Sequence, residues 1–449
     1  MSMRIRLTAC GVVLALAAFA GGLLASEWPS WRGPYQNGVS DETGLVDSWS
    51  TEGENLAWSA DFTGRSTPVV FQGRVCAMGR TGSGIDKQEM VACFHAGTGK
   101  LLWEHRFNIF HTTIPFTRSG WTKPVGDPET GNLYTHGVQG LLTAFDPRGK
   151  ILWQRSLTEE FGRFSGYGGR THSPIVDEDR VVLAMTTVAW GNQVVPKQRY
   201  YAFDKKTGEL VWISDVAGPA TSKTTYSTPV IAVIGGRRLL IGGNSDGAVY
   251  AIESRTGRLI WKFRLGKLGL NTSVAVDGDR VYATTGDEVI DEPIMGRVVC
   301  IDGTGEGDVT GTHEVWRASE ILVSYASPLV KDGVVYVIDD SANLHALDAD
   351  DGTAMWVKNL GTVGRGSPVW ADGKIYATET NGHFLIVKPS GQDAEILDDE
   401  LVTVEGGRYA EIYGSPAVAY GRVYFTSEAG IFALGDPDAP FEARRGTPP

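Results

Sequence analysis

Short runs of apolar and alternating residues, roughly four to eight long, recur from residue 55 onward and are divided by Gly- and Asp-rich turns. Gly333-Val334-Val335-Tyr336-Val337 and Gly421-Arg422-Val423-Tyr424-Phe425 are representative. Period-2 alternation predicts strands, and no stretch after the N-terminus carries a long amphipathic helical pattern. The strands follow a fixed order. A first strand opens with a small residue, proline and an apolar residue: Thr67-Pro68-Val69, Ser173-Pro174-Ile175, Thr228-Pro229-Val230, Ser327-Pro328-Leu329, Ser367-Pro368-Val369 and Ser415-Pro416-Ala417. Lys123-Pro124-Val125 is a variant, and Ser273-Val274 holds the same place without proline. A second strand follows, then a third such as Tyr201-Ala202-Phe203-Asp204, a turn such as Thr98-Gly99-Lys100, and a fourth strand ending near tryptophan.

Eight such copies predict an all-β fold, an eight-bladed β-propeller of four-stranded antiparallel blades. Proline cannot donate to a ladder, so it suits the first residue of the innermost strand, an edge that faces the central channel. Trp103, Trp153, Trp212, Trp261, Trp316 and Trp356 recur at blade-sized spacings of 40 to 59 residues. The seventh copy has Leu397 where tryptophan is expected, and the eighth stops at Phe432 to Asp436 without a fourth strand. Asn55 to Phe62 matches Leu101 to Phe107 and brings Trp58, so this N-terminal strand is predicted to close the last blade and remove the open edge. The expected organisation is a signal peptide at 1–26, an N-terminal extension packing on the propeller at 27–54, the propeller at 55–436 and a C-terminal tail at 437–449.

The pattern Ala-Phe-Asp-x-x-Thr-Gly-x-x-x-Trp, seen from Ala202 to Trp212, resembles the tryptophan-docking repeat of the pyrroloquinoline-quinone-like (PQQ-like) propellers, over nearly all of residues 27 to 436. The resemblance implies structural roles for the tryptophans, which bury aromatic area between blades. That family includes quinoprotein dehydrogenases and an outer-membrane assembly scaffold, so fold alone does not choose a function. A dehydrogenase of this type would imply PQQ, a Ca²⁺, an aspartate base and typically a disulfide between adjacent cysteines. No adjacent Cys-Cys pair exists here. Catalytic signatures such as His-Glu-x-x-His, Gly-x-Ser-x-Gly and the P-loop are missing too, and the eight histidines lack metal-ligand spacing. No catalytic residue, no metal and no cofactor are expected, with PQQ and calcium as the alternative. Asp302 to Asp308 echoes part of a Ca²⁺ loop but lacks its later ligands, and a long solvated hairpin is the reading preferred there.

Charge and export narrow the picture further. Arg4 and Arg6 precede an apolar run from Gly11 to Leu24, and small residues near Ala25-Ser26 offer a cleavage site. Cys10 lies before the apolar run, where a lipidated cysteine would follow it, so a soluble periplasmic or secreted protein without stable membrane insertion is expected. The net charge of −12 becomes −14 once Arg4 and Arg6 are removed, which disfavours nucleic acid as a partner. Of the remaining cysteines, Cys76 occupies the second-strand place held elsewhere by Tyr282, Tyr336 and Tyr424, and Cys93 the third-strand place of Ala202, Ala346 and Ala433. The two should face each other across one hairpin, where a cross-strand disulfide is possible.

Against this acidic background, the connections that precede the inner strands are basic and aromatic. They carry Arg65, Arg118, Arg163, Arg170, His172, Lys223, Arg365 and Arg408, interleaved with Trp121, Tyr167, Tyr226, Tyr325, Tyr409 and Tyr413. In a propeller these connections ring the mouth of the central funnel. Arg65, Arg118, Trp121, Arg170, His172, Lys223, Tyr226, Tyr325, Arg365 and Tyr413 are therefore the candidate ligand-binding residues. Arginine forks suit carboxylate or phosphate. The expected function is a non-catalytic binding or scaffold propeller that recognises an anionic small molecule or an envelope protein, the competing one a PQQ-dependent oxidoreductase.

Overall fold

The computed structural model describes residues 27–109, 116–162, 171–187, 195–221 and 225–441. They form eight antiparallel sheets, one per repeat, arranged as a closed propeller. Blade 1 is typical: Val69–Phe71, Arg74–Thr81, Gln88–His95 and Leu101–Asn108 run from the channel outward. In blade 8 the order is Ala417–Ala419, Arg422–Thr426, Ile431–Leu434 and then Leu56–Ala60, so the N-terminal strand completes the last sheet. Burial follows position in the blade. Arg74–Thr81 is buried over almost its whole length because sheets cover both faces, whereas the outer Leu101–Asn108 alternates between exposed and half-buried.

The repeated residues have repeated jobs. In seven blades the third strand places a small residue opposite the fourth-strand tryptophan, as in Ala202↔Trp212, Cys93↔Trp103 and Ala433↔Trp58, and the register shifts by a bulge beside that pair. The indole then reaches the next blade. Trp58 Nε1 donates to Ala96 O at 2.8 Å, Trp153 to Lys205 O at 3.1 Å and Trp316 to Ala349 O at 2.9 Å. Trp212 Nε1, by contrast, is buried without a partner among the described residues. The turn glycines are required by the same packing: at Gly99 and Gly208, both at positive φ, an added Cβ would fall 2.6 and 2.7 Å from the ring of Trp58 and Trp153.

Blade 7 departs. Its register sets Asp398, not Leu397, opposite Ile386, in the place of the tryptophan. The volume is refilled from the N-terminal extension. Trp49, 2 % exposed, packs edge-on to Phe384 and Phe425 at 5.7 and 5.6 Å, and its N–H donates to Asp398 Oδ2 at 3.0 Å. The Asp302 to Asp308 hairpin also differs from the solvated loop expected. Gly307–Asp308 pairs in parallel with Trp261 and Lys262 and adds a fifth strand to blade 4.

Cys76 and Cys93 are register partners with Cα atoms 4.1 Å apart, and their sulfurs are bonded. Tyr282↔Cys300, Tyr336↔Ala346 and Tyr424↔Ala433 occupy the same register position in other blades. Among the described residues, no helix is long and apolar enough to cross a membrane.

Candidate functional site

The small residue before each inner-strand proline has a specific task. Its hydroxyl accepts the backbone N–H of the equivalent residue in the preceding blade. Six such rungs, 2.8 to 3.0 Å long, link Lys123 N to Ser173, Thr228 N to Ser273, and then Ser273, Ser327, Ser367 and Ser415 in turn to the hydroxyl of the next blade, ending on Thr67. A lysine side chain has no acceptor, so Lys123 interrupts the ladder between blades 1 and 2. Among the described residues Thr228 Oγ1 is buried without a hydrogen-bond partner, so the rung between blades 3 and 4 is missing as well.

The N-terminal segment lies across the other end of these strands. Trp28 bonds with Val70 of blade 1 in both directions, and Pro29 O accepts from Gly126 N of blade 2. Gln36 Oε1 accepts from Ile231 N of blade 4, buried Arg32 donates to Pro328 O before blade 6, and Gly38 and Ser40 pair with Trp370 of blade 7. Because these blades lie on opposite sides of the ring, the segment crosses the channel axis. Desolvation holds the Arg32 guanidinium down to about 9. Trp31, from the same segment, reaches into the channel and forms the floor of a cavity of about 110 Å³.

The cavity is lined by Trp31, Thr67, Trp121, Lys123, Tyr226, Tyr325, Arg365, Ser367, Tyr413 and Ser415. Five of the residues expected at the mouth (Trp121, Tyr226, Tyr325, Arg365 and Tyr413) therefore meet there. Their rings contact one another, Trp121 with Tyr226 at 5.7 Å and Tyr413 at 5.6 Å, and Tyr226 stacked on Tyr325 at 6.3 Å. The Arg365 guanidinium lies 3.5 Å from the centre of the Tyr325 ring, and Lys123 Nζ lies 4.5 Å from that of Trp31. Neither cation forms an ion pair among the described residues, and Arg365 Nη1 is buried without an acceptor. Burial lowers the Lys123 ammonium to about 8. Among the described residues the lining holds two cations and no carboxylate.

Other expected residues lie elsewhere. Arg65 lies outside the lining: its side chain is bound by Glu411 and by Glu428 at 3.0 Å while it covers the Tyr413 ring at 4.4 Å, so its charge is already neutralised and it supports a residue of the cavity wall. His172 is buried, its carbonyl accepts from His136 Nδ1 at 2.8 Å, and it does not line the cavity. Desolvation holds both imidazoles neutral, His136 down to about 4 and His172 to about 3. Arg118 is half-buried outside the lining, and Arg408 is exposed. Arg163, Tyr167, Arg170 and Lys223 lie outside the described residues. Sequence reasoning missed Trp31 and Lys123, although Lys123 was visible as the one basic residue among the small ones. It also missed Glu89, buried, whose carboxylate accepts from Gly120 N at 2.8 Å and Val138 N at 3.0 Å and so anchors the loop carrying Trp121. Desolvation raises the Glu89 carboxyl to about 7.

A closed eight-bladed ring with repeated interblade indoles and a channel-end cavity defines a PQQ-like repeat propeller. Residues 87–261 and 245–439 match the family described as outer membrane protein assembly factor BamB, and the chain belongs to that family. It is 26 % identical over 293 residues to outer membrane protein assembly factor BamB of Yersinia pestis, covering 60 % of this chain and 68 % of the relative. The relative from Moranella endobia is 25 % identical over 309 residues, covering 67 % and 68 %. In fold, the chain superposes on the crystal structure of BamB from Moraxella catarrhalis with a TM-score of 0.58, 15 % identity and coverage of 84 % and 98 %. It also superposes on quinohemoprotein alcohol dehydrogenase from Comamonas testosteroni with a TM-score of 0.62, 14 % identity and coverage of 93 % and 81 %.

The residues present do not fit PQQ with calcium. Ca²⁺ takes six to eight oxygen ligands rich in carboxylate, whereas this lining has no carboxylate and two cations. Among the described residues no three His, Cys, Asp or Glu side chains gather as a metal site.

Proposed function

We propose that this chain is an exported, non-catalytic scaffold propeller of the cell envelope that docks protein partners and recognises an anionic group at its funnel. Family membership supports the scaffold role, since the relatives are named as outer-membrane assembly factors. The anionic specificity is carried by one observation, the pair Lys123 and Arg365 in a cavity without a carboxylate. An uncompensated cation in a partly dry site is costly, and an anionic ligand removes that cost. Arg365, held flat on Tyr325, presents a fork suited to a carboxylate or phosphate.

Photocrosslinking in the envelope tests both parts. The crosslinker is placed at Tyr409, exposed on the connection that carries Tyr413. Crosslinks to an outer-membrane assembly protein are expected, weakened at least severalfold by Arg365→Gln. Crosslinks indifferent to Arg365→Gln would remove the anionic recognition. No crosslink from Tyr409 or from neighbouring rim positions would remove the docking role at this face.

A further inference from the structure

The cavity contains more information than its charge. It is blind, because the Trp28 to Ser40 segment crosses the channel beneath it and Trp31 is its floor. Its walls are aromatic, and among the described residues its unsatisfied groups are donors: Arg365 Nη1 and Trp31 Nε1 are buried without acceptors, and Lys123 Nζ has no anionic partner. Thr67, Ser367 and Ser415 also line it, but their hydroxyls already accept the N–H groups of the ladder. Size sets the remaining limit. About 110 Å³ is roughly three-quarters of the ~150 Å³ cavity that takes one benzene, and the open mouth supplies the remainder.

We propose that the channel end is a small-molecule site for a single-ring aromatic monocarboxylate, its ring against Trp31 and the mouth aromatics and its carboxylate between Arg365 and Lys123. This rests on the anionic reading above and adds ring, size and charge to it. A monocyclic ring offers flat faces and polarised edges that match indole and phenol walls, and these contacts add to area burial. One carboxylate provides acceptors for the Arg365 fork and for Lys123. A second fused ring would have to project out through the mouth, away from Trp31. The scaffold would thus carry an effector site separate from its protein-docking rim.

Isothermal titration of the full chain, with its signal removed, uses benzoate, acetate and naphthalene-2,6-dicarboxylate as probes. Benzoate is expected to bind at least tenfold more tightly than acetate and than the naphthalene dianion. Arg365→Gln and Lys123→Met should each weaken benzoate at least tenfold, with melting curves confirming that the variants fold. If Arg365→Gln does not fold, Trp31→Leu serves instead: it should cut the benzoate preference over acetate while leaving acetate within twofold. Equal affinity for benzoate and acetate would overturn the aromatic assignment and leave the anionic reading intact. A naphthalene dianion that binds as well as benzoate would overturn the size limit. Failure of all three probes to bind would overturn both readings.

Discussion

Blades 7 and 2 each depart from the repeat, and the molecule treats the two departures differently. At blade 7 the interblade tryptophan is replaced by Asp398, and the gap is refilled by Trp49 from the N-terminal extension, whose backbone N–H also satisfies that aspartate. At blade 2 the inner-strand hydroxyl is replaced by Lys123, and nothing among the described residues replaces the lost rung. The first break keeps the packing and gives the substituted aspartate a hydrogen bond. The second sacrifices a hydrogen bond in the channel wall and leaves an ammonium in a cavity with Arg365. From blade 4 round to blade 1 the ladder is unbroken and uncharged, whereas the blade 2 to blade 3 side also buries His136 and His172. The contrast teaches that an unrepaired departure that also brings a charge into the channel wall is where function is to be sought.

The largest expected effect lies at the repaired break. Trp49→Ala empties a fully buried indole site between blades 7 and 8 and should cost about 3–5 kcal/mol in chemical denaturation, with anion binding unchanged. A loss under 1 kcal/mol would show that Trp49 does not replace the missing tryptophan.

Acid should separate the two sides of the ring. His136 and His172 have folded values below the ordinary 6.5, so the unfolded chain takes up protons first as pH falls. Their contribution is therefore intact above pH 6.5 and is lost as pH falls from there to about 4. His136 alone accounts for about 3 kcal/mol over that window. Hydrogen exchange should show blades 2 and 3 opening before blades 5 and 6, and His136→Gln should flatten the pH dependence. Uniform opening around the ring would contradict the contrast.

Within the regular ladder, Ser327→Ala leaves the buried Ser273 N–H without its acceptor and should cost about 1–3 kcal/mol without altering anion affinity. The smallest effect is on binding. Anion affinity should fall by about tenfold between pH 7 and 9 as Lys123 loses its charge, and titration at constant ionic strength checks this. A flat profile would place the anion away from Lys123.

How much of this was legible follows from the range of the interactions. Blade count, strand order and the Cys76 to Cys93 register depend on neighbouring positions within a hairpin, so the repeat displayed them. Ring closure by Leu56–Ala60 was legible because the missing strand resembled the others. The mouth aromatics could be placed because topology alone sends those connections to one end. What was not legible depends on distant partners. Arg65 looked available because Glu428 lies 363 residues away, in the hairpin of blade 8. Trp31 and Trp49 belong to an extension with no repeat to align them, and Gly307–Asp308 joins a neighbouring blade that its own hairpin could not announce.

The most direct measurement of the central claim is a pair of thermal melts, wild type and Lys123→Ser, with and without a saturating small carboxylate. Lys123→Ser restores the small hydroxyl of the repeat, so Thr67 N–H gains an acceptor worth about 0.5–1.5 kcal/mol. The account predicts that the variant melts at higher temperature without ligand and gains clearly less stability from the carboxylate than the wild type does. A variant less stable than wild type, or one still stabilised by the carboxylate as the wild type is, would contradict the assignment of this blade to function.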